Sequence, residues 1–333
     1  MSRPLQHRDS ENPPKPEVES TADSALRKPT IEYLIAAYNE QEHIVQAVST
    51  LLEGVDSSDR RVLVSVSDNC SSDATVQRLE HRFKGDSRVC LSVQPRNIGA
   101  HANALWLLSH ATGEFVAFVG AHDRYSSNFT REALSRIESQ TSRNVVWFAS
   151  EVDLDAVTGR VEPGLELRLH SNPRLRFWQL VLFLHRATIV QALYPSEQVR
   201  SFLLDAADVY TLDHLFIHIG LRSCELQRIP GTFYIRRHPE RLGSGYASRN
   251  SAGEVQTRRQ RLEGDLSREL NDAELPRLIA KQAPPHCSRA EVHLARYLLG
   301  GKYRQGWFRY IAYRLTRRAF TLGARGDRNP TAK

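Results

Sequence analysis

Four times within the first 123 residues a mostly apolar run of five to seven residues ends and polar side chains follow at once. The runs are Ile31–Ala37, Val62–Val66, Val89–Val93 and Phe115–Val119. Behind them stand Asn39-Glu40, Asp68-Asn69, Asn97 and His122-Asp123. Between the runs, Ile44, Val45, Val48, Leu51 and Leu52, and later Val76, Leu79 and Phe83, recur at helical spacing. Strands alternating with helices imply an α/β fold with a doubly wound, Rossmann-like, mostly parallel sheet. Ligands of such sheets bind outside the carboxyl ends of the strands, so the four polar clusters are expected to share one crevice. Its carboxylates, carboxamides and imidazole suit a sugar–phosphate and a divalent cation.

Local signals refine this outline. Asn39-Glu40-Gln41-Glu42 has the form of a helix N-cap with a glutamate three residues on. Ser72-Asp73 can cap the next helix, and Gly113 can end the helix through Trp106 and Leu107. Val145–Ala149 and Thr232–Arg236 read as further strands, and Arg174–Leu184 and Asp213–Leu221 as helices. Residues 1–28 hold four prolines and few apolar side chains, and are expected to be disordered. The division read here is a disordered segment 1–28, a main domain 29–245 and a basic, helical C-terminal extension 246–333.

Composition removes several alternatives. Cys70, Cys90, Cys224 and Cys287 are widely spaced and form no C-x-x-C pair, which argues for reduced thiols over a disulfide frame or zinc site. No apolar stretch is long enough to span a bilayer, and the N-terminus lacks an apolar leader. No glycine-rich phosphate loop follows the first strand, against a dinucleotide enzyme. The net charge of +7 is weighted toward Arg304, Arg309, Arg314, Arg317 and Arg318. Trp307, Tyr310, Ile311 and Leu315 form one helical stripe among those arginines, which can dock on the protein or lie on an anionic membrane through 303–320.

The ordered motifs resemble those of the family 2 glycosyltransferases, which adopt the GT-A fold. Ala37-Tyr38-Asn39-Glu40 resembles the family's first-strand motif, and Ser67-Asp68-Asn69-Cys70-Ser71-Ser72-Asp73 its second, whose first aspartate recognises a nucleobase. Asn97-Ile98-Gly99, Asn103 and Ala111-Thr112-Gly113-Glu114-Phe115 match the approach to its metal motif. That motif is usually Asp-x-Asp-Asp, where this chain reads Gly120-Ala121-His122-Asp123. The likeness spans roughly 30–240.

The resemblance implies an inverting, hexosyltransferase-like enzyme that moves a sugar from a nucleotide-diphosphate donor, expected to be a UDP-sugar, to a hydroxyl acceptor in polysaccharide or glycolipid assembly. It implies donor contacts from Tyr38, Asn39, Glu40, Asp68, Asn97, His122 and Arg236. It gives Asp123 and His238 to Mn²⁺ or Mg²⁺, and the catalytic base to Asp213. A cytoplasmic protein is expected, peripheral at the inner face of a membrane, with no nucleic-acid partner. Structural roles compete with these: Asp68 could cap a turn, Asp123 or Asp213 a helix start, and Asp153 and Asp155 are loop acids or acceptor contacts. Two other functions compete as well: a non-catalytic nucleotide-sugar binder with a degenerate metal motif, and a basic-tail scaffold for membranes or polyanions.

Overall fold

Strand β1 (Ile31–Ala37) is the centre of the fold, as seen in a computed structural model of the chain. It pairs in parallel with β2 (Val62–Asp68) on one side and with β4 (Phe115–Phe118) on the other. Outside β2 lies β3 (Val89–Val93), also parallel, and outside β4 lies the short antiparallel β8 (Tyr194–Pro195). The order β3-β2-β1-β4-β8 places a topological switch point between β1 and β4, where the chain changes sides of β1. The structure describes residues 31–140, 146–156, 159, 161–162, 169–183, 191–203, 217, 220–221, 224–237 and 283–304.

Helices α1 (Ile44–Leu52), α2 (Thr75–Phe83), α3 (Ala100–His110) and α4 (Phe129–Ser139) connect and cover these strands. Ile44, Val48 and Leu51 of α1 join Ile31, Tyr33, Ile35, Val64 and Val66 in one buried cluster. β1 carries buried residues at six of its seven positions, as a strand covered on both faces must.

A second sheet has the order β5-β9-β6-β7, from β5 (Arg124–Tyr125), β9 (Glu225–Arg236), β6 (Val146–Asp155) and β7 (Val161–Glu162). The sequence reading expected only the ends of β6 and β9. β9 starts seven residues before Thr232 and runs through Pro230-Gly231, which bulges against Glu151 on β6. Gly231 N–H donates to the Glu151 carboxylate at 2.7 Å. An aromatic wedge joins the sheets: the Tyr125 ring stacks on Phe129 at 4.1 Å, meets Tyr234 edge-on at 4.8 Å and lies 6.0 Å from Tyr33. Asp153 and Asp155 are buried on β6 and are not loop acids.

Two expected caps differ. Helix α1 begins at Ile44, and Asn39 lies in the left-handed region at φ 54°, so the Asn39–Glu42 pattern is not a helix cap. The helix α3 ends at His110, and Gly113 serves another need. A Cβ there would lie 2.6 Å from the Glu32 Cβ. Buried Glu32 takes N–H bonds from Thr112 (2.6 Å) and Gly113 (2.8 Å) and the Ser65 hydroxyl at 2.6 Å. Asp73 stands one residue ahead of the α2 N-cap, Ala74, and accepts the Thr75 N–H at 2.9 Å.

The chain divides into two compact units, Met1–Gly164, Thr188–Asp208 and Cys224–Thr257 in the first and the remainder in the second. Both sheets belong to the first. In the second, α5 (Pro173–Phe183) and α6 (Arg289–Arg304) are tied by Glu291, which accepts from Arg174 Nε at 2.8 Å and Trp178 Nε1 at 3.2 Å. Arg174 draws the Glu291 carboxyl down to about 2. Ser288 and Glu291 form a capping box at the start of α6, a Ser-x-x-Glu signal the sequence reading passed over. The four cysteines form no disulfide. Among the described residues no helix is long and apolar enough to cross a membrane. Residues 1–28 and most of the expected 246–333 extension, with its 305–320 stripe, lie outside the described residues.

The Glu32 clasp predicts that Gly113→Ala destabilises the protein by about 1–3 kcal/mol through overpacking. Urea denaturation reads this as a lower midpoint; an unchanged midpoint contradicts the account.

Candidate active site at the switch point

The loops leaving β1 and β2 interlock. Asn39 N–H donates to Ser71 Oγ (2.8 Å), Glu40 N–H to Thr75 Oγ1 (2.8 Å) and Gln41 N–H to Asp73 Oδ2 (3.1 Å). In return Ser72 N–H donates to Asn39 Oδ1 at 2.9 Å and Ala74 N–H to Gln41 Oε1 at 3.0 Å. Two non-glycine residues, Asn39 (φ 54°) and Cys70 (φ 63°), take left-handed conformations in these loops. Such backbone persists where neighbouring bonds over-determine it, and it gathers at ligand sites.

Asp68 ends β2 fully buried, accepting Ser71 N–H at 2.8 Å and the Ser71 hydroxyl at 2.5 Å. Burial pushes its carboxyl above the ordinary range, against the pull of the Ser71 bonds. Asp68 therefore does shape a turn, and the turn fixes its carboxylate at the carboxyl edge of the sheet. Asn69 Nδ2 donates to Asn97 Oδ1 at 2.9 Å, and Ile98 N–H to Asn69 Oδ1 at 2.9 Å, which anchors the loop after β3. Behind them buried Asn103 bonds Ser67 through its main-chain oxygen (2.8 Å) and hydroxyl (2.6 Å).

Glu40 and His122 meet across the switch point, with Oε1 and Nδ1 2.9 Å apart. Burial alone would lower the His122 pKa, but the Glu40 hydrogen bond and the Asp123 and Glu40 charges outweigh it and hold the value above the ordinary one. Beside it Asp123, 7% exposed, has both carboxylate oxygens engaged. Oδ2 accepts the Tyr234 hydroxyl at 2.7 Å, and Oδ1 accepts Arg237 N–H at 2.7 Å. Helix α4 starts six residues after Asp123, so Asp123 caps no helix. Its Oδ2 lies 2.5 Å from where a Cβ on Gly120 would stand. The glycine that departs from the expected motif is thus what this carboxylate pose requires.

The two arginines at the end of β9 differ. Arg236, the expected donor contact, lies across from Asp155 in the strand register and holds an ion pair with Asp153 at 3.8 Å. Arg237, part of the Arg236-Arg237-His238-Pro239 segment but given no role of its own from the sequence, brings its guanidinium to the switch point. Its Nη1 is 3.4 Å from His43 Nε2. Burial and then the Arg237 charge lower the His43 pKa, and that charge also acts on His122. Among the described residues Arg237 forms no salt bridge.

The site therefore gathers Asn39, Glu40, Asp68, Asn97, His122 and Asp123, with Tyr38 half-buried at the end of β1; Arg236 is drawn toward Asp153. Asp213 and His238 lie outside the described residues. Among the described residues no three His, Cys, Asp or Glu side chains converge to hold a metal ion. Gly120 offers no ligand, both Asp123 oxygens are bonded into the fold, and His122 Nδ1 is held by Glu40. These residues do not by themselves fit a chain-held Mn²⁺ or Mg²⁺, which favour several oxygen ligands.

Residues 33–180 match the model of Glycosyl transferase family 2. The succinoglycan biosynthesis protein ExoO of Rhizobium meliloti (strain 1021) is 28% identical over 276 residues, 82% of this chain and 70% of that protein. The crystal structure of S. aureus TarS 1–349 aligns at a TM-score of 0.53 and 16% identity, over 82% of this chain and 71% of that one. TarS 1–349 in complex with UDP-GlcNAc aligns at 0.54 and 18% identity, over 82% and 72%. At this identity the likeness speaks for the fold.

The Glu40–His122 pair gives a pH-dependent prediction. A histidine raised in the folded state contributes stability that is fully present below its unfolded pKa of about 6.5. That contribution is lost as pH rises through the elevated folded value. The stability gap between wild type and Glu40→Gln should therefore be wider at pH 6 than at pH 9, read by chemical denaturation. A gap that ignores pH contradicts the pairing.

Proposed function

We propose that this chain, whose residues 33–180 match the model of Glycosyl transferase family 2 and whose fold is GT-A, transfers a hexose from a nucleoside-diphosphate donor to a hydroxyl acceptor with inversion. The observation that carries the reading is the meeting of the β1, β2 and β4 loops at the switch point, the place an open α/β sheet reserves for its ligand. Asp68, fixed by Ser71, is the group offered to the nucleobase. The loops after β1 and β4 flank the diphosphate. A uridine nucleotide is supported by TarS, which binds UDP-GlcNAc in a fold of this kind. Assembly of a polysaccharide or glycolipid is supported by ExoO, a succinoglycan biosynthesis protein.

Direct displacement at the anomeric carbon makes two demands. The acceptor hydroxyl must lose its proton as it attacks, and Asp213 is the base proposed for that step. The departing diphosphate must meet positive charge fixed in place before the reaction. Fixed groups serve better than mobile ones because they need no reorganisation at the transition state. The crosslinks between the loops after β1 and β2 supply that rigidity.

A panel of nucleotide-sugars with candidate lipid-linked and glycan acceptors tests the reading. One donor should give transfer or slow hydrolysis, and Asp213→Asn should lower transfer by about 10²–10⁴ while donor binding persists. Donor binding without turnover in the wild type would instead mark a nucleotide-sugar-binding protein. That outcome would overturn the enzymatic reading.

A further inference from the structure

We propose that the donor's diphosphate is neutralised by the Arg237 guanidinium at the β1/β4 switch point, so that its binding requires no divalent cation. This deepens the donor-site reading above and rests on it. Three observations lead there.

The first is location. Arg237 follows β9 directly, and its main-chain N–H is gripped by Asp123, which stands just beyond β4. Its guanidinium approaches His43, which precedes α1 on the other side of the switch point. The side chain thus reaches between the two loops where a ligand of this sheet belongs.

The second is charge. Arg236 and Asp153 offset one another, as do His122 and Glu40. Among the described residues Arg237 makes no ion pair, and its one side-chain hydrogen-bond contact is the His43 ring. Burial and Arg237 itself push His43 toward its neutral form, so it offers no competing cation there. A half-buried guanidinium that no described carboxylate pairs with is a ready partner for phosphate, which its planar fork binds through two parallel hydrogen bonds.

The third is the ligand set a cation would meet. With Gly120 and His122 in place of acidic side chains, the turn after β4 carries one carboxylate. That carboxylate is turned into the fold, with Oδ2 on Tyr234 and packed against Gly120, and Oδ1 on Arg237 N–H. Removing acids from a diphosphate site lowers its need for a dication, because less negative charge has to be offset. A fixed arginine then suffices.

Calorimetry of UDP and GDP with the full chain, in EDTA and in Mn²⁺, tests the proposal. One nucleotide should bind in EDTA as tightly as in Mn²⁺. Arg237→Ala should weaken it by roughly 10–100-fold, and Arg237→Lys by less. Since Asp123 holds the main chain of Arg237, both variants should keep the wild-type melting temperature. Binding that appears only with Mn²⁺ overturns the inference and leaves the donor site standing. Tight binding unaffected by Arg237→Ala also overturns it. Failure of both nucleotides in both buffers removes the donor site itself, and this inference with it.

Discussion

A single buried carboxylate, that of Asp123, joins the parts of the first unit that matter for function. One oxygen takes the Tyr234 hydroxyl from β9, the other the N–H of Arg237, and the residue itself continues the chain from β4 into β5. The two sheets meet along the Tyr33–Tyr125–Tyr234 wedge, and Asp123 fastens that junction at the carboxyl edge of β4. Burial drives the Tyr234 hydroxyl pKa well up, so it stays protonated and donates to the carboxylate. Losing either donor would leave a desolvated acid short of a bond, a cost of about 1–3 kcal/mol.

With that junction fixed, the loops organise one another through hydrogen bonds. The bonds exchanged between residues 39–41 and 71–75 satisfy main-chain N–H groups that the late start of α1 leaves outside a helix. They also hold Asn39 and Cys70 in left-handed conformations. Asp68, Glu40 and His122 are therefore held at the carboxyl edge of the parallel sheet, and Arg237 reaches the same edge from the end of β9. Preorganised charge of this kind is the largest contributor to many group-transfer reactions.

The parallel sheet was legible in the sequence because each of its inner strands is covered on both faces and reads as an apolar run. β5, β7 and β8, of two residues each, carry no periodic signal, and β9 hides half its length behind Pro230-Gly231. Pairing of β6 with β9 joins residues about eighty positions apart, beyond the reach of local pattern. The same non-local register separates Arg236 from Arg237: the sequence shows two adjacent arginines, and the ion pair with Asp153 picks out the first. Asn39-Glu40-Gln41-Glu42 looked like a capping box, but the partner loop after β2 claimed its donors and acceptors. Gly120 looked like a lost ligand; beside Asp123 Oδ2 it is a steric requirement.

The most direct test of the account is a crystal structure of the full chain grown with UDP. The account predicts the diphosphate between the loops after β1 and β4, within hydrogen-bond reach of Arg237, and the base against Asp68. A nucleotide bound elsewhere on the molecule, with this crevice empty, would contradict it.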